Sequence, residues 1–327
     1  MHGDLARPTI SGVRYRDSLP QLNGNVLLTD GGMETTLIFG EGLDLPCFAS
    51  FPLLEHDEGR AAMLGYFEPY LEVARRHGAG FVLEANTWRA NPAWGAQLGY
   101  SLDDLAEANR RAVRFVARIR EREEASGGPI VLSAPIGPEG DAYDPASRMT
   151  AEEAEKYHSW QTGVLADTAA DIATALTITY VEEAIGIVRA ATKDGLPVAV
   201  SFTVETDGRL PTGQSLAEAI EQVDAETGGA PAYFMVNCAH PTHFLPVLDG
   251  PGPWSRVLGI RANASTKSHA ELDESEVLDD GDPLQLADEY LEIGERLPHL
   301  TVLGGCCGTD HRHVGNVAAA WFSRSPA

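Results

Sequence analysis

The sequence Thr301-Val-Leu-Gly-Gly-Cys-Cys-Gly-Thr309 shows the repeating unit that predicts the fold of this chain. Its apolar run, Thr301–Leu303, has the composition of a short buried strand, and glycines and two cysteines follow it directly. A segment with helical spacing, Asp310–Phe322, comes next. Short, nearly continuous apolar strands that alternate with helices are typical of a parallel sheet covered on its faces.

The same kind of apolar, β-rich run occurs throughout the chain. The eight candidate strands are Val26–Thr29, Phe81–Glu84, Ile130–Ser133, Ile172–Leu176, Pro197–Thr203, Tyr233–Asn237, Val257–Ile260 and Thr301–Leu303. The helical segments between them are Gly59–His77, Leu102–Ser126, Ala151–Ala169, Val181–Asp194, Ser215–Thr227 and Asp282–Arg296. The third of these begins at Thr150-Ala-Glu-Glu, which predicts a capping box. Thr206–Gln214 and Ser265–Gly281 have the composition of long loops.

This alternation predicts an α/β protein with one (β/α)8 barrel, or TIM barrel, because eight strand–helix units fit the length of 327 residues. An open doubly wound sheet is the second choice, since no Gly-x-Gly-x-x-Gly turn follows the first strand. We expect a single barrel domain over residues 1–327, with residues 1–24 as an N-terminal extension.

The composition excludes several classes of partner. The chain has 48 acidic and 24 basic side chains, and a formal charge of −24 would repel nucleic acid. No stretch of about 18 apolar residues is present, so no membrane span is expected. The segment Met1–Asp17 does not resemble a secretory signal. We therefore expect a cytoplasmic protein in a reducing compartment.

Three of the four cysteines follow predicted strands. Cys238 comes after the sixth strand, and Cys306 and Cys307 come after the eighth. The carboxyl ends of parallel strands meet at one end of a barrel, so these sulfurs are expected to converge. Three thiolates with the fourth tetrahedral position open are typical of a catalytic zinc site, which makes Zn²⁺ the predicted cofactor. The alternative for the cysteine pair is a tight strand-to-helix turn with buried thiols. Cys47, in an apolar stretch, is expected to be a plain buried thiol.

Other polar residues also stand at predicted strand ends, where a barrel places its chemistry. Asp30, after the first strand, could bind an ammonium group or cap a helix. Glu84, at the end of the second strand, could contact the substrate or instead pair inside the barrel. The candidate substrate-binding residues are Asp30, Gly31, Glu84, Asn86, Thr87 and Asn237.

Histidines and tryptophans are two further types of candidate site residue. The histidines His240, His243, His311 and His313 are alternative metal ligands, although exposed loop positions are the preferred interpretation. Trp88, Trp94 and Trp160 either line a pocket for a cationic methyl donor or pack in the core.

Several of these motifs, in order, resemble the homocysteine S-methyltransferase family. They are Asp30-Gly-Gly-Met, Glu84-Ala-Asn-Thr-Trp, Ile136-Gly-Pro, Asp207-Gly-Arg-Leu, Asn237-Cys238 and Gly304-Gly-Cys-Cys-Gly. That family includes betaine–homocysteine methyltransferase and the homocysteine-binding module of cobalamin-dependent methionine synthase. The resemblance implies a (β/α)8 barrel with zinc on Cys238, Cys306 and Cys307, and homocysteine held partly by Asp30 and Gly31.

One departure from the family pattern concerns the acceptor. Family members carry Glu-Thr-Ile-Pro after the fourth strand, and that Glu helps to bind the amino group of homocysteine. This chain has Leu176-Thr-Ile-Thr at the matching place. Either another acid replaces it, with Glu34, Glu84 and Glu182 as candidates, or the acceptor is a different thiol.

These observations predict a zinc-dependent S-methyltransferase. It would move a methyl group from a small sulfonium or quaternary ammonium donor to a small-molecule thiol, with homocysteine giving methionine as the first choice. S-methylmethionine, S-adenosylmethionine and betaine are the donors that the resemblance implies. The alternatives are a zinc-thiolate binding or redox-sensing protein on the same barrel, or a methyltransferase for a different thiol. Whether the chain forms a homo-oligomer is left open.

Overall fold

A computed structural model describes residues 11–123, 127–143, 147–275 and 277–324. Eight parallel strands form a closed barrel in sequence order, which confirms the predicted (β/α)8 fold. The strands are β1 (Leu27–Leu28), β2 (Gly80–Glu84), β3 (Ile130–Ile136), β4 (Ile172–Ile178), β5 (Val198–Phe202), β6 (Phe234–Asn237), β7 (Val257–Ala262) and β8 (Val302–Gly305). The barrel closes where Leu27 pairs with Gly80 on one side and with Val302 on the other.

One main helix follows each strand. These helices are α1 (Asp57–His77), α2 (Leu102–Glu123), α3 (Ala151–Ala166), α4 (Val181–Asp194), α5 (Leu216–Thr227), α6 (Pro241–Leu248), α7 (Pro283–Arg296) and α8 (His311–Ser323). The capping box predicted at Thr150 is confirmed, because Thr150 and Glu153 each bond to the backbone N–H of the other. The last three residues predicted for α2, and residues 1–10 of the predicted extension, lie outside the described residues.

Helix α6 is absent from the predicted helical segments. Pro241 occupies the first turn of the helix, where its missing N–H costs nothing. A second unpredicted helix, His269–Asp273, lies within the segment expected to be a loop.

The interior of the barrel is filled at the amino ends of the strands. Successive side chains on a strand point to opposite faces of the sheet. In β1, Leu28 therefore packs against the helices outside the barrel, whereas Leu27 belongs to a separate apolar cluster inside it. That inner cluster includes Val82, Val131, Met235 and Leu19 of the N-terminal segment. The interior of the barrel is therefore filled at this end, and the cavities that contain the predicted site residues lie at the carboxyl ends of the strands.

The N-terminal segment is fixed to this lower end by buried charge. The carboxylate of Asp171 accepts hydrogen bonds from the backbone N–H groups of Arg14 and Tyr15 and from Nη1 of Arg120. Nη2 of Arg16 donates to the carbonyl oxygen of Ala170 at 2.6 Å.

In the described part of the chain, no helix combines the length and apolar character that a membrane crossing requires.

Candidate functional site

A small cavity of about 80 Å³ lies at the carboxyl ends of the strands, and we call it the inner cavity. Seven of the nine predicted site residues bring a side chain to its wall, and an eighth, Gly31, lines it with backbone. The eight are Asp30, Gly31, Glu84, Asn86, Asn237, Cys238, Cys306 and Cys307. Thr87 lies elsewhere: its side chain is fully buried and its Oγ1 donates to the carbonyl oxygen of Pro135 at 2.7 Å. Thr87 therefore does not line the inner cavity.

The three predicted metal ligands lie together in this cavity. The Sγ atoms of Cys238, Cys306 and Cys307 are all within 4.8 Å of one another. Cys238 and Cys306 are in disulfide contact, with Cα atoms 5.3 Å apart, whereas Cys307 is a free thiol. Burial raises the pKa of Cys307 to about 11. Three convergent sulfurs fit the donor set of a zinc site once all three are reduced.

Backbone contacts hold Cys238 in an unusual conformation. Its φ of 53° lies in the left-handed region, which non-glycine residues occupy only when their surroundings fix them there. The carbonyl oxygen of Cys238 accepts hydrogen bonds from Nδ2 of Asn263 at 3.0 Å and Oγ1 of Thr203 at 3.4 Å. Nε2 of His269 lies 2.6 Å from the same oxygen and must carry the proton, because a carbonyl only accepts. These three donors direct the Cys238 side chain toward the cysteine pair.

A buried ion triad occupies the floor of the inner cavity. Nη2 of Arg261 donates to Oδ1 of Asp30 at 2.6 Å, and Nη1 contacts Oε2 of Glu84. The other Asp30 oxygen accepts from the Tyr66 hydroxyl at 2.9 Å, and the Gly31 carbonyl also accepts from Arg261. Burial raises the pKa of both carboxyl groups, and Arg261 opposes that shift. Glu84 therefore pairs inside the barrel, and both Asp30 oxygens already have protein donors.

A third carboxylate, Glu34, faces the same cavity with no ion-pair partner among the described residues. It is half-buried, and its one hydrogen bond to another side chain comes from Oγ of Ser50 at 3.0 Å. Burial raises the pKa of Glu34. Leu176 also lines the cavity, at the place where the family pattern has an acid. Glu182 stands instead in the first turn of α4.

The two asparagines of the cavity differ in their bonding. Oδ1 of Asn237 accepts from Oγ of Ser201 at 2.7 Å and from the backbone N–H of Thr177 at 3.0 Å, so its amide connects β6 to β4 and β5. Thr177 has a φ of 63°, and Asn237 helps to hold that conformation. Oδ1 of Asn86, by contrast, is buried with no hydrogen-bond donor among the residues that the structure describes. Asn86 is therefore the better candidate for a direct ligand contact.

A larger cavity of about 350 Å³ lies above the inner one, and we call it the outer cavity. Its apolar and aromatic lining residues are Phe39, Phe48, Trp88, Tyr143, Leu272, Val277 and Leu278. Its charged lining residues are Arg89, Asp141, Asp273 and Asp279, with His269 beside them. Trp88, Tyr143 and Cys307 line both cavities, so the sulfur of Cys307 lies where the two spaces meet.

The histidines that were weighed as ligands have other roles. His240 and His313 are buried rather than exposed, and they lie at the first turns of α6 and α8. Nδ1 of His240 accepts from the backbone N–H of Thr242, and Nε2 of His243 lies 2.9 Å from the carbonyl oxygen of Thr266. The expectation of exposed loop histidines is wrong for these three.

The tryptophans mainly contact protein. The guanidinium of Arg89 lies 4.1 Å from the ring centroid of Trp88 and 3.8 Å from that of Trp94. Trp160 packs against an apolar cluster that includes Phe51 and Leu105. Only Trp88 of the three lines the described cavities.

Sequence reasoning missed the roles of Arg261, Asn263, Tyr66, Tyr143 and His269 in this site. The first two stand at the carboxyl end of β7, and that position was the available signal. Tyr66 is in α1, and Tyr143 and His269 come from connecting segments, for which the sequence carries no comparable signal.

Comparisons with known proteins agree with this architecture. A family model described as homocysteine S-methyltransferase matches residues 27–321. The metallated form of the homocysteine methyltransferase MmuM from Escherichia coli superposes with a TM-score of 0.69 at 19% identity, covering 90% of this chain and 96% of that one. Its oxidised form gives a TM-score of 0.68 at 21% identity, with coverage of 90% and 95%. At these identities the superpositions show the shared fold.

Proposed function

Because the chain belongs to the homocysteine S-methyltransferase family, we propose that it is a zinc-dependent enzyme that methylates homocysteine to methionine. Family membership itself makes it an enzyme of thiol methyl transfer. The observation that carries the zinc proposal is the convergence of Cys238, Cys306 and Cys307 within 4.8 Å beside the inner cavity. Because the site needs reduced thiols, we place the enzyme in the cytoplasm.

The three cysteines would hold the metal only in their reduced state, because the Cys238–Cys306 contact occupies two of the sulfurs. A zinc ion held there would supply an open coordination position that binds and ionises the acceptor thiol. The donors on the Cys238 carbonyl keep that sulfur directed at the pair. Asn237, whose Nδ2 lies 3.8 Å from Sγ of Cys306, supports the same sulfurs from the barrel side.

The charges of the inner cavity favour an acceptor with an ammonium group. Three carboxylates, those of Asp30, Glu34 and Glu84, face one guanidinium, that of Arg261, and Arg261 pairs with only two of them. Glu34 is partly withdrawn from water and has no ion-pair partner among the described residues, so a cationic ligand group beside it would be favourable. We assign the ammonium of homocysteine to Glu34, which would replace the acid absent at position 176.

The outer cavity is the proposed place of the methyl donor, because it meets the inner cavity at Cys307. In the reaction the acceptor sulfur attacks the methyl carbon in line. The new S–C bond forms as the bond from that carbon to the donor sulfur or nitrogen breaks, and its electron pair leaves with the neutral donor product. The contribution of the protein is to place the two reactants and to exclude water.

The zinc assignment is tested by metal analysis of the reduced protein. We expect about one zinc per chain, loss of the metal in Cys307→Ser and full retention in the control Cys47→Ser. Equal metal content in all three proteins, or none in the wild type, would contradict the assignment. Zinc binding without turnover on any pair of thiol and donor would favour the redox-sensing alternative, to which the Cys238–Cys306 contact gives some support.

The acceptor is tested with homocysteine and 4-mercaptobutanoate, which is the same thiol without the ammonium group. Glu34→Gln should raise KM for homocysteine about 10- to 150-fold, since a hydrogen bond to a charged group contributes about 1.5–3 kcal/mol. KM for 4-mercaptobutanoate should stay nearly constant. Glu58→Gln, an exposed acid in the first turn of α1, is the control. An equal effect of Glu34→Gln on both thiols would indicate a different acceptor or a structural role.

A further inference from the structure

A short segment of backbone, residues 277–281, lies against the loop that carries the cysteine pair, and we call it the strap. Residues 277–279 line the outer cavity. A Cβ at Gly308 would lie 2.7 Å from the carbonyl oxygen of Asp279, so the strap packs directly on the residue that follows Cys307. The position of the strap therefore shapes the outer cavity beside Cys307.

His313, in the first turn of α8, holds this strap through a buried hydrogen bond. Its side chain is 1% exposed, and its Nε2 lies 2.8 Å from the carbonyl oxygen of Asp280. Nε2 must carry a proton there, because a carbonyl oxygen only accepts. Nδ1 accepts from the backbone N–H of Asp310 at 3.1 Å and lies 3.1 Å from Oδ1 of the same residue. In the neutral ring with its proton on Nε2, and equally in the doubly protonated ring, Nε2 donates to the strap.

The described side-chain contacts from other residues to the strap involve carboxylates that are partly exposed. Nη2 of Arg312 donates to Oδ2 of Asp280 at 2.9 Å, but both side chains are about half exposed. Oγ of Ser265 and Nζ of Lys267 reach Oδ2 of Asp279 at 2.9 and 3.1 Å, and that carboxylate is 33% exposed. Water screens such charges, so ion pairs of this kind contribute little to stability. The imidazole is the buried anchor of the strap among these contacts.

We propose that His313 is a positioning residue for methyl transfer: its Nε2–H group fixes the strap, and the fixed strap keeps the outer cavity shaped for the methyl donor beside Cys307. His313 lines neither of the two described cavities, so it acts through the strap and not by touching a reactant. Without this donor the carbonyl of Asp280 turns toward water, and the strap loses its close packing on Gly308. The inference rests on the proposed function for the presence of the donor in the outer cavity.

Two amide variants separate the roles of the two ring nitrogens. In His313→Gln the amide nitrogen can reach the position of Nε2 and still donate to the strap. In His313→Asn the shorter side chain ends near the position of Nδ1, so it can still accept from the N–H of Asp310 but cannot reach the strap. Arg312→Gln removes the exposed pair with Asp280 and serves as the control.

The first measurement is native-state proteolysis by thermolysin, which cleaves before accessible leucines. Mass spectrometry follows the cut before Leu278 in the strap, and the cut before the exposed Leu102 of α2 is the internal reference. The rate at one site reports how often that segment opens. Cleavage at Leu278 should be about five- to tenfold faster than wild type in His313→Asn and within about twofold of it in His313→Gln and Arg312→Gln. Equal cleavage at Leu278 in all four proteins would overturn the proposal.

The second measurement is steady-state methyl transfer from S-methyl-L-methionine to homocysteine by the zinc-loaded protein. In His313→Asn, KM for S-methyl-L-methionine should rise about tenfold, while KM for homocysteine and the zinc content stay within about twofold of wild type. His313→Gln should restore the donor KM. An unchanged donor KM despite faster cleavage would overturn the positioning role, and so would a Gln variant that behaves like the Asn variant. If His313→Asn does not fold, His313→Leu, which fills the space without a donor, takes its place in both measurements.

The two hypotheses fail in different ways. A wild type without turnover refutes the proposed function, and with it the role in methyl transfer, while proteolysis still shows whether His313 fixes the strap. Normal turnover with a donor KM that does not respond to His313→Asn refutes this inference alone.

Discussion

Replacing Arg261 by methionine should strongly destabilise the protein at neutral and alkaline pH. Arg261 pairs with Asp30 and Glu84 and donates to the carbonyl oxygens of Gly31 and Gly305. The substitution keeps an unbranched apolar side chain but leaves two buried carboxylates, each at most 5% exposed, without their counter-charge. Removing one partner of a buried ion pair costs about 3–5 kcal/mol, and we expect a loss of that size at pH 8.

The loss in the free energy of unfolding should become smaller in acid, because the two carboxyl groups then take up protons. In the variant, burial raises the pKa of Asp30 and Glu84 without opposition from Arg261, above the unfolded values of about 4. Between the unfolded and folded pKa values the folded state binds more protons than the unfolded state. The free energy of unfolding therefore rises as the pH falls through that window. The difference between variant and wild type should narrow by pH 5.

The assay is urea unfolding followed by circular dichroism at pH 8 and pH 5. Arg296→Met removes an arginine from the surface pair with Asp249 and serves as the control, with an expected cost below about 1 kcal/mol. A triple variant, Arg261→Met with Asp30→Asn and Glu84→Gln, should recover much of the loss, because it has no buried charge left. The reasoning is refuted if Arg261→Met and the control unfold at the same urea concentration at pH 8.

Three further predictions concern the sulfurs and their support. In metal-free protein, the rate at which iodoacetamide alkylates Cys307 should rise about tenfold per pH unit from pH 8 to 10, because the pKa of this thiol is raised to about 11. The rate is measured by mass spectrometry, and an alkylation rate that stops rising by pH 9 would contradict the prediction. His269→Phe removes a donor to the Cys238 carbonyl and should weaken zinc affinity about 10- to 100-fold by chelator competition; unchanged affinity would show that this contact is dispensable. Gly304→Ala would place a Cβ 1.9 Å from Oγ1 of Thr29 and should lower the free energy of unfolding by about 1–3 kcal/mol. An unchanged melting temperature in thermal unfolding would count against this prediction.

The sequence was sufficient to predict the barrel, because the pattern that indicates each strand and helix is local in the chain. Each strand is a short apolar run, and a parallel barrel needs no further information to bring all carboxyl ends together. That rule also predicted that Cys238 would lie beside Cys306 and Cys307, which are 68 and 69 residues further along the chain. Gly308, directly after the cysteine pair, has a φ of 79°, which lies in the left-handed region that favours glycine.

The charge pattern of the cavity could not be predicted in the same way. A shift of one position at a strand end turns a side chain from the cavity into the packed layer, as the contrast between Asn86 and Thr87 shows. Asp30, Glu84 and Arg261 are far apart in the sequence, and nothing local indicates that one guanidinium pairs with both acids. Among the described residues Glu34 has no ion-pair partner, and this too depends on side chains that are distant in the sequence.

The closed lower end of the barrel has a kinetic consequence. Packed side chains and the anchored N-terminal segment fill the amino-terminal end of the described barrel, and the outer cavity adjoins the inner one at the opposite end, where Trp88, Tyr143 and Cys307 line both. Under the proposed assignment of the cavities, a donor bound in the outer cavity would obstruct the inner one, so we expect the thiol to bind first. Under the same assignment, the spent donor should leave before the methylated thiol. Turnover should follow a compulsory-order sequence, in which the last product to leave competes directly with the incoming thiol.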